Sequence, residues 1–198
     1  MEKKPSLAEQ QKTVEKKALK KSEYMYRGKV INLRKETFFF KNTTPTFREY
    51  VEHQGSVGII ALRNDGKFLF IKQYRKAPDE ILLEIPAGIL EKGENPKDCA
   101  IRELQEETGF KPATLISLGS FYPSPGFCTE HLHIFLALDL ETSPLPCDLD
   151  EAIDLSPLSL QEFYDHLEKN QIRDLKTVAA VFLYMQWKSS HSPQQSCL

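Results

Sequence analysis

An α/β sandwich is the fold the sequence predicts, and three observations predict it. Short runs rich in β-branched and aromatic residues recur between Val30 and Leu140. One well-capped helical segment, between Asn95 and Gly109, interrupts them. Two segments with helical apolar stripes, 159–170 and 175–187, follow them. Strands interleaved with helices argue helices layered on a sheet. The 198 residues fit one domain with appendages. A formal net charge of −2 points to no nucleic-acid partner. No apolar run approaches the roughly 18 residues of a membrane span, so no membrane partner is expected.

The elements follow in order. Residues 1–23 read as a charged leader, a tail or a loosely packed helix; they lack the apolar core of a secretory signal. Residues 24–54 read as an N-terminal β-hairpin, with strands at 30–40 and 47–53 around a Lys41–Pro45 turn. Strands are expected at 56–62 and 67–74, joined by Asn64-Asp65-Gly66. Residues 81–85 lead through Pro86-Ala87 into the helical segment, and strands follow at 111–121 and 131–140. The main domain is set at 55–188, with a C-terminal tail at 189–198. Cys99, Cys128, Cys147 and Cys197 form no C-x-x-C pair, so reduced thiols in a cytoplasmic protein are expected. His131 and His133 alternate in a strand pattern and are not read as ligands.

The chemistry concentrates in Gly88–Phe110, G-I-L-E-K-G-E-N-P-K-D-C-A-I-R-E-L-Q-E-E-T-G-F. Asn95 suits an N-cap, Pro96 the first helical position and Gly109 a left-handed C-terminal residue, giving a helix over 96–108. At about 100° per residue, Glu103, Glu106 and Glu107 share one arc, while Ala100, Ile101, Leu104 and Thr108 share another. Like charges at these spacings repel. Divalent cations would reverse that cost, and oxygen donors suit Mg²⁺ or Mn²⁺. Standing alone, such an acidic stripe would be an ordinary solvated face.

The whole run resembles the signature of the Nudix hydrolases without a departure, from Gly88 through Glu94, Arg102, Glu103 and Glu107 to Gly109. At ordinary residue frequencies a chance match is on the order of 10⁻⁹ per starting position. The resemblance implies a Nudix-type α/β/α sandwich, with a mixed sheet between helices and a loop–helix–loop catalytic box. It implies metal ligation by Glu103, Glu107, Glu106 and the Ala87 carbonyl. Arg102 would orient neighbouring carboxylates, Glu94 or Glu106.

Four further stretches resemble the ADP-ribose pyrophosphatase branch: the strand from Arg48 to Gly55, Gln73-Tyr74-Arg75, Glu84-Ile85-Pro86-Ala87-Gly88, and Ser124-Pro125-Gly126 with Glu130. They imply substrate contacts by Arg48, Arg75, Glu84, Gly126 and Glu130. Each has an ordinary alternative, such as a strand-edge arginine, a surface carboxylate or a plain turn. The branch takes its general base from a mobile acidic loop, which matches residues 147–155 here. Glu151 is the best positional match, with Asp148 and Asp150 also open. The implied activity is Mg²⁺-dependent cleavage of ADP-ribose to AMP and ribose 5-phosphate. GDP-mannose, a dinucleotide, or turnover-free nucleotide sensing are the alternatives, and intact box carboxylates weigh against the last. The resemblance also implies a homodimer, with the hairpin as the candidate dimerisation element.

Overall fold

The computed structural model describes residues 4–41, 43–147 and 152–191. The chain divides into two compact units. The first comprises Met1–His53 with Ser124–Glu130, the second Gln54–Pro123 with His131–Leu198.

The first unit carries helix α1 (Leu7–Lys17) and an antiparallel sheet of β1 (Leu19–Arg27), β2 (Ile31–Phe39) and β3 (Thr46–His53). A reciprocal cap starts α1: Ser6 accepts from the Glu9 amide at 3.3 Å, and the Glu9 carboxylate accepts from the Ser6 amide at 2.7 Å. No residue of α1 is buried. β1 corrects the expected boundary at residue 23, because it begins inside the stretch read as leader. Its Lys20, Lys21 and Ser22 read as solvent-facing, and the strand exists through its ladder with β2, from Leu19 opposite Phe39 to Arg27 opposite Asn32. Local composition cannot report such a partner. Segment 124–130 closes against β3, where the Val51 amide donates to the Phe127 carbonyl at 2.7 Å and the Thr129 amide donates to the Val51 carbonyl at 2.9 Å.

The second unit holds a seven-stranded sheet in the order β10-β5-β4-β9-β8, with β6 beside β5 and β7 beside β4. These strands are β4 (Ser56–Leu62), β5 (Phe68–Arg75), β6 (Glu80–Glu84), β7 (Ala87–Ile89), β8 (Phe110–Phe121), β9 (Leu132–Thr142) and β10 (Ile153–Leu158). β4 and β9 run parallel and the other pairs antiparallel, so the sheet is mixed. Alternate residues of β4 divide between two cores, as strand geometry requires. Val57, Ile59 and Ala61 pack with Cys99, Ala100 and Leu104 of α2 (Pro96–Thr108). Ile60 joins Phe70, Phe163 and Tyr184, the last two from α3 (Leu160–Glu168) and α4 (Leu175–His191). The result is an α/β/α sandwich with α2 on one face and α3 and α4 on the other. No helix among the described residues is long and apolar enough to cross a membrane.

Candidate active site

Helix α2 begins and ends as its sequence requires. Asn95 accepts from the Lys97 amide at 2.9 Å, Pro96 opens the helix, and Gly109 closes it at φ 78°. Its apolar side buries Cys99, Ala100 and Leu104 completely. That burial fixes the rotation of the helix and turns Arg102, Glu103 and Glu106 to the opposite side.

Arg102 organises that side. Its guanidinium forks onto Glu94 at 3.0 and 3.1 Å and also donates to Glu103 at 2.7 Å and Glu106 at 2.9 Å. The sequence expectation was Glu94 or Glu106; the arginine takes both and Glu103 besides. The hydrogen bond from Arg102 outweighs burial and holds the Glu94 carboxyl below its ordinary value, and Glu94 in turn raises that of Arg102. Burial pushes the neighbouring Cys99 thiol up, so it is an inert core residue.

Glu107 lies one turn beyond Glu103 on α2. It is buried at 7 % exposure and accepts from the Ala87 amide at 2.9 Å. The extra rotation from Glu103 to Glu107 carries it under β7. Gly88 has a steric reason to be glycine: a Cβ there would stand 1.8 Å from the Glu103 carboxylate carbon. Glu103 therefore occupies the place a side chain at position 88 would fill.

The expected substrate residues divide. Arg75 and Glu84 meet each other, the guanidinium donating to the carboxylate at 2.9 and 3.0 Å. Glu84 is 1 % exposed and also pairs with Lys176 of α4. Burial raises the Glu84 carboxyl, but the hydrogen bond from Arg75 and the charge of Lys176 outweigh it and hold the group below its ordinary value. Arg48, Gly126 and Glu130 lie in the first unit. There Arg48 pairs with Glu15 at 2.7 Å, Gly126 is exposed in a turn, and the Glu130 amide donates to the Cys128 sulfur at 3.4 Å. Glu151, Asp148 and Asp150 fall outside the described residues.

The sequence reading missed Asp174, Lys176 and Thr177. The available signal was Asp174 three residues before Thr177 at a helix start, the spacing of an N-cap, which the Thr177 amide confirms by donating to Asp174 at 3.0 Å. Nothing in that pattern reveals that Thr177 also binds the Ile85 amide, 92 positions away.

Residues 52–181 match the NUDIX domain family model. The chain belongs to the Nudix family. As a Nudix hydrolase it is 38 % identical over 186 residues to the ADP-ribose pyrophosphatase of Bacillus subtilis (strain 168), covering 93 % of this chain and 100 % of that protein. It is 39 % identical over 174 residues to the methanol dehydrogenase activator of Bacillus methanolicus, covering 86 % of this chain and 94 % of that one. Among solved structures, an ADP compounds hydrolase superposes with a TM-score of 0.76 at 23 % identity, over 87 % of this chain and 94 % of the other. That likeness supports the mixed-sheet fold.

Proposed function

We propose that this Nudix hydrolase cleaves the pyrophosphate bond of ADP-ribose or a related nucleoside diphosphate sugar in a Mg²⁺-dependent reaction, giving AMP and ribose 5-phosphate from ADP-ribose. The observation that carries the reading is the charge imbalance around Arg102 of α2: one guanidinium faces the three carboxylates of Glu94, Glu103 and Glu106. Glu107 adds a fourth carboxylate, one turn of α2 beyond Glu103. Such a surplus favours cations, and an all-oxygen donor set suits Mg²⁺ or Mn²⁺.

The residues fit a divalent ion on two counts. The donors are hard oxygens, and the side-chain-free seat at Gly88 lets Glu103 lie against the β7 backbone. Among the described residues no three carboxylate, imidazole or thiolate groups already converge as a metal cluster. Glu103 and Glu106 lean on Arg102, and Glu107 leans on the Ala87 amide. We assign Glu103, Glu107, Glu106 and the Ala87 carbonyl as the groups that would hold the metal. When bound there, divalent cations supply neutralisation of phosphate charge and acidification of water.

This chain's own side chains supply the rest. Arg102 holds Glu94, Glu103 and Glu106 in one arrangement before substrate arrives, which lowers the reorganisation needed during reaction. Arg75 is 35 % exposed while its partner Glu84 is buried, so its guanidinium is presented to a phosphate. Glu151 takes the proton from the attacking water; the pyrophosphate P–O bond breaks, and each product leaves as a monophosphate. Arg48, Gly126 and Glu130 complete the substrate contacts in this reading. The similarity to the B. subtilis ADP-ribose pyrophosphatase along nearly the whole chain supports the substrate class. The active form is proposed to be a homodimer, which sedimentation will check.

A panel of nucleoside diphosphate derivatives with Mg²⁺ tests the assignment, scored by phosphate release after coupling to a phosphatase. ADP-ribose is expected to exceed nucleoside triphosphates at least about tenfold in kcat/KM, roughly 1.4 kcal/mol of differential transition-state binding. Faster hydrolysis of ATP or dGTP than of any diphosphate sugar overturns the substrate assignment. Glu151→Gln is expected to lower kcat by about 10²- to 10⁴-fold with little change in substrate Kd. A mild Glu151→Gln and a crippling Asp148→Asn would move the base to Asp148.

A further inference from the structure

Residues 84–87 join β6 to β7, and each is tied to a different neighbour. The Glu84 carboxylate is held by Arg75 and Lys176. The Ile85 amide donates to Thr177 Oγ1 at 2.8 Å. The Pro86 carbonyl accepts from the Ile59 amide at 2.8 Å. The Ala87 amide donates to Glu107 at 2.9 Å.

Two of these four ties come from the first turn of α4. A hydroxyl has one proton, and Thr177 commits it to Asp174 Oδ2 at 2.6 Å. The same carboxylate oxygen accepts from the Thr177 amide at 3.0 Å and pairs with Lys176 Nζ at 3.1 Å. Thr177 Oγ1 is thereby fixed as an acceptor facing Ile85. Both residues are completely buried, so water cannot replace the hydroxyl at the Ile85 amide. Loss of the hydroxyl would leave a buried N–H unpaired, and the link would move to find a partner. The next main-chain donor along the link, Ala87 N–H, sets the position of Glu107.

We infer that Thr177, oriented by Asp174, is a positioning residue for metal binding: it holds the 84–87 link so that the Ala87 main chain and Glu107 stand in ligating register. This rests on the assignment of Ala87 and Glu107 as metal-holding groups. Thr177 acts through the link, by its bond to the Ile85 amide. Small displacements of ligating groups carry large functional costs, so such a tie has a functional consequence separate from stability.

The test reads metal binding directly, without substrate. Mn²⁺ is titrated into the full chain and followed by electron paramagnetic resonance, with calorimetric Tm beside it, for wild type, Thr177→Val and Thr177→Ser. Thr177→Val keeps the volume and removes the acceptor. It is expected to raise the Mn²⁺ Kd about tenfold, while Thr177→Ser restores it to within about twofold. Half-saturating Mg²⁺ for hydrolysis should rise in parallel. If Thr177→Val does not fold, Thr177→Ala takes its place with the same expected shift. A wild-type Mn²⁺ Kd in the valine or alanine variant, whatever its Tm, overturns the inference, as does a serine variant that fails to restore binding. Wild type that binds Mn²⁺ but hydrolyses no nucleoside diphosphate derivative overturns the proposed activity alone. Wild type that binds no Mn²⁺ at millimolar concentration overturns both.

Discussion

Two ion clusters in the second unit invert each other's composition. At Arg102 of α2 a single arginine faces three carboxylates, two from the helix and Glu94 from the loop before it. At the 84–87 link a buried carboxylate takes two cations, and one of those, Lys176, also meets Asp174. The link cluster therefore balances, with Arg75 and Lys176 against Glu84 and Asp174. Glu84 is its fully buried member, and a buried carboxylate costs stability when its pairing is broken. Around Arg102, the described ion pairs set three carboxylates against one guanidinium. The difference predicts which loss is larger: stability when Glu84 of the link cluster is changed, turnover when the carboxylates of α2 are changed.

The largest effect expected is on the unbalanced side. Glu107→Gln should lower kcat by about 10²-fold or more, while Tm in metal-free buffer stays within about 2 °C. Turnover near wild type at saturating Mg²⁺ would remove Glu107 from the metal-holding set. On the balanced side, Glu84→Gln should cost about 2 kcal/mol, below the usual figure for a broken buried pair because Arg75 and Lys176 keep some solvent. For a chain of this size that is a fall of roughly 4–8 °C in Tm by calorimetry. An unchanged Tm with a weakened ADP-ribose Kd would instead make Glu84 a substrate ligand and break the comparison.

Metal sharpens the contrast at a smaller scale. Mg²⁺ at about ten times its Kd should stabilise the protein by roughly 1.4 kcal/mol, or about 3–5 °C. Thermal scans should show this rise in wild type and Glu84→Gln, and none in Glu107→Gln. Acid gives the smallest effect. Because the folded Glu84 carboxyl lies below its ordinary value of 4.5, its contribution is present above that pH and is lost as pH falls through the folded value. Glu84→Gln should therefore unfold with a flatter dependence on pH below about 4.5 than wild type. Parallel curves for the two proteins would show that Glu84 is not the group responsible.

What was legible in the sequence was what local pattern encodes. The α2 boundaries at Pro96 and Thr108 follow from Asn95, Pro96 and Gly109, whose effects act within a turn. The apolar arc of Ala100 and Leu104 and the polar arc of Glu103 and Glu106 follow from helical period. The burial of Glu107 did not, because it depends on where β7 lies. Strand β1 escaped for the same reason, since its support is β2. The pairing of Arg75 with Glu84 joins two residues read separately, and the ties from Lys176 and Thr177 span more than ninety positions. Sequence pattern reports periodicity and caps; it is silent on partners brought together only by the sheet.

The seat at Gly88 has a genetic consequence. Every single-base missense change in a glycine codon adds a Cβ, and that atom would sit 1.8 Å from the Glu103 carboxylate carbon. The group in its way is the end of a flexible side chain rather than backbone, so the chain would still fold while Glu103 swings aside. Proteases and chaperones inspect folding and would pass such a product as sound. If Glu103 holds metal as proposed, substitution at position 88 is expected to lower turnover while abundance stays near wild type.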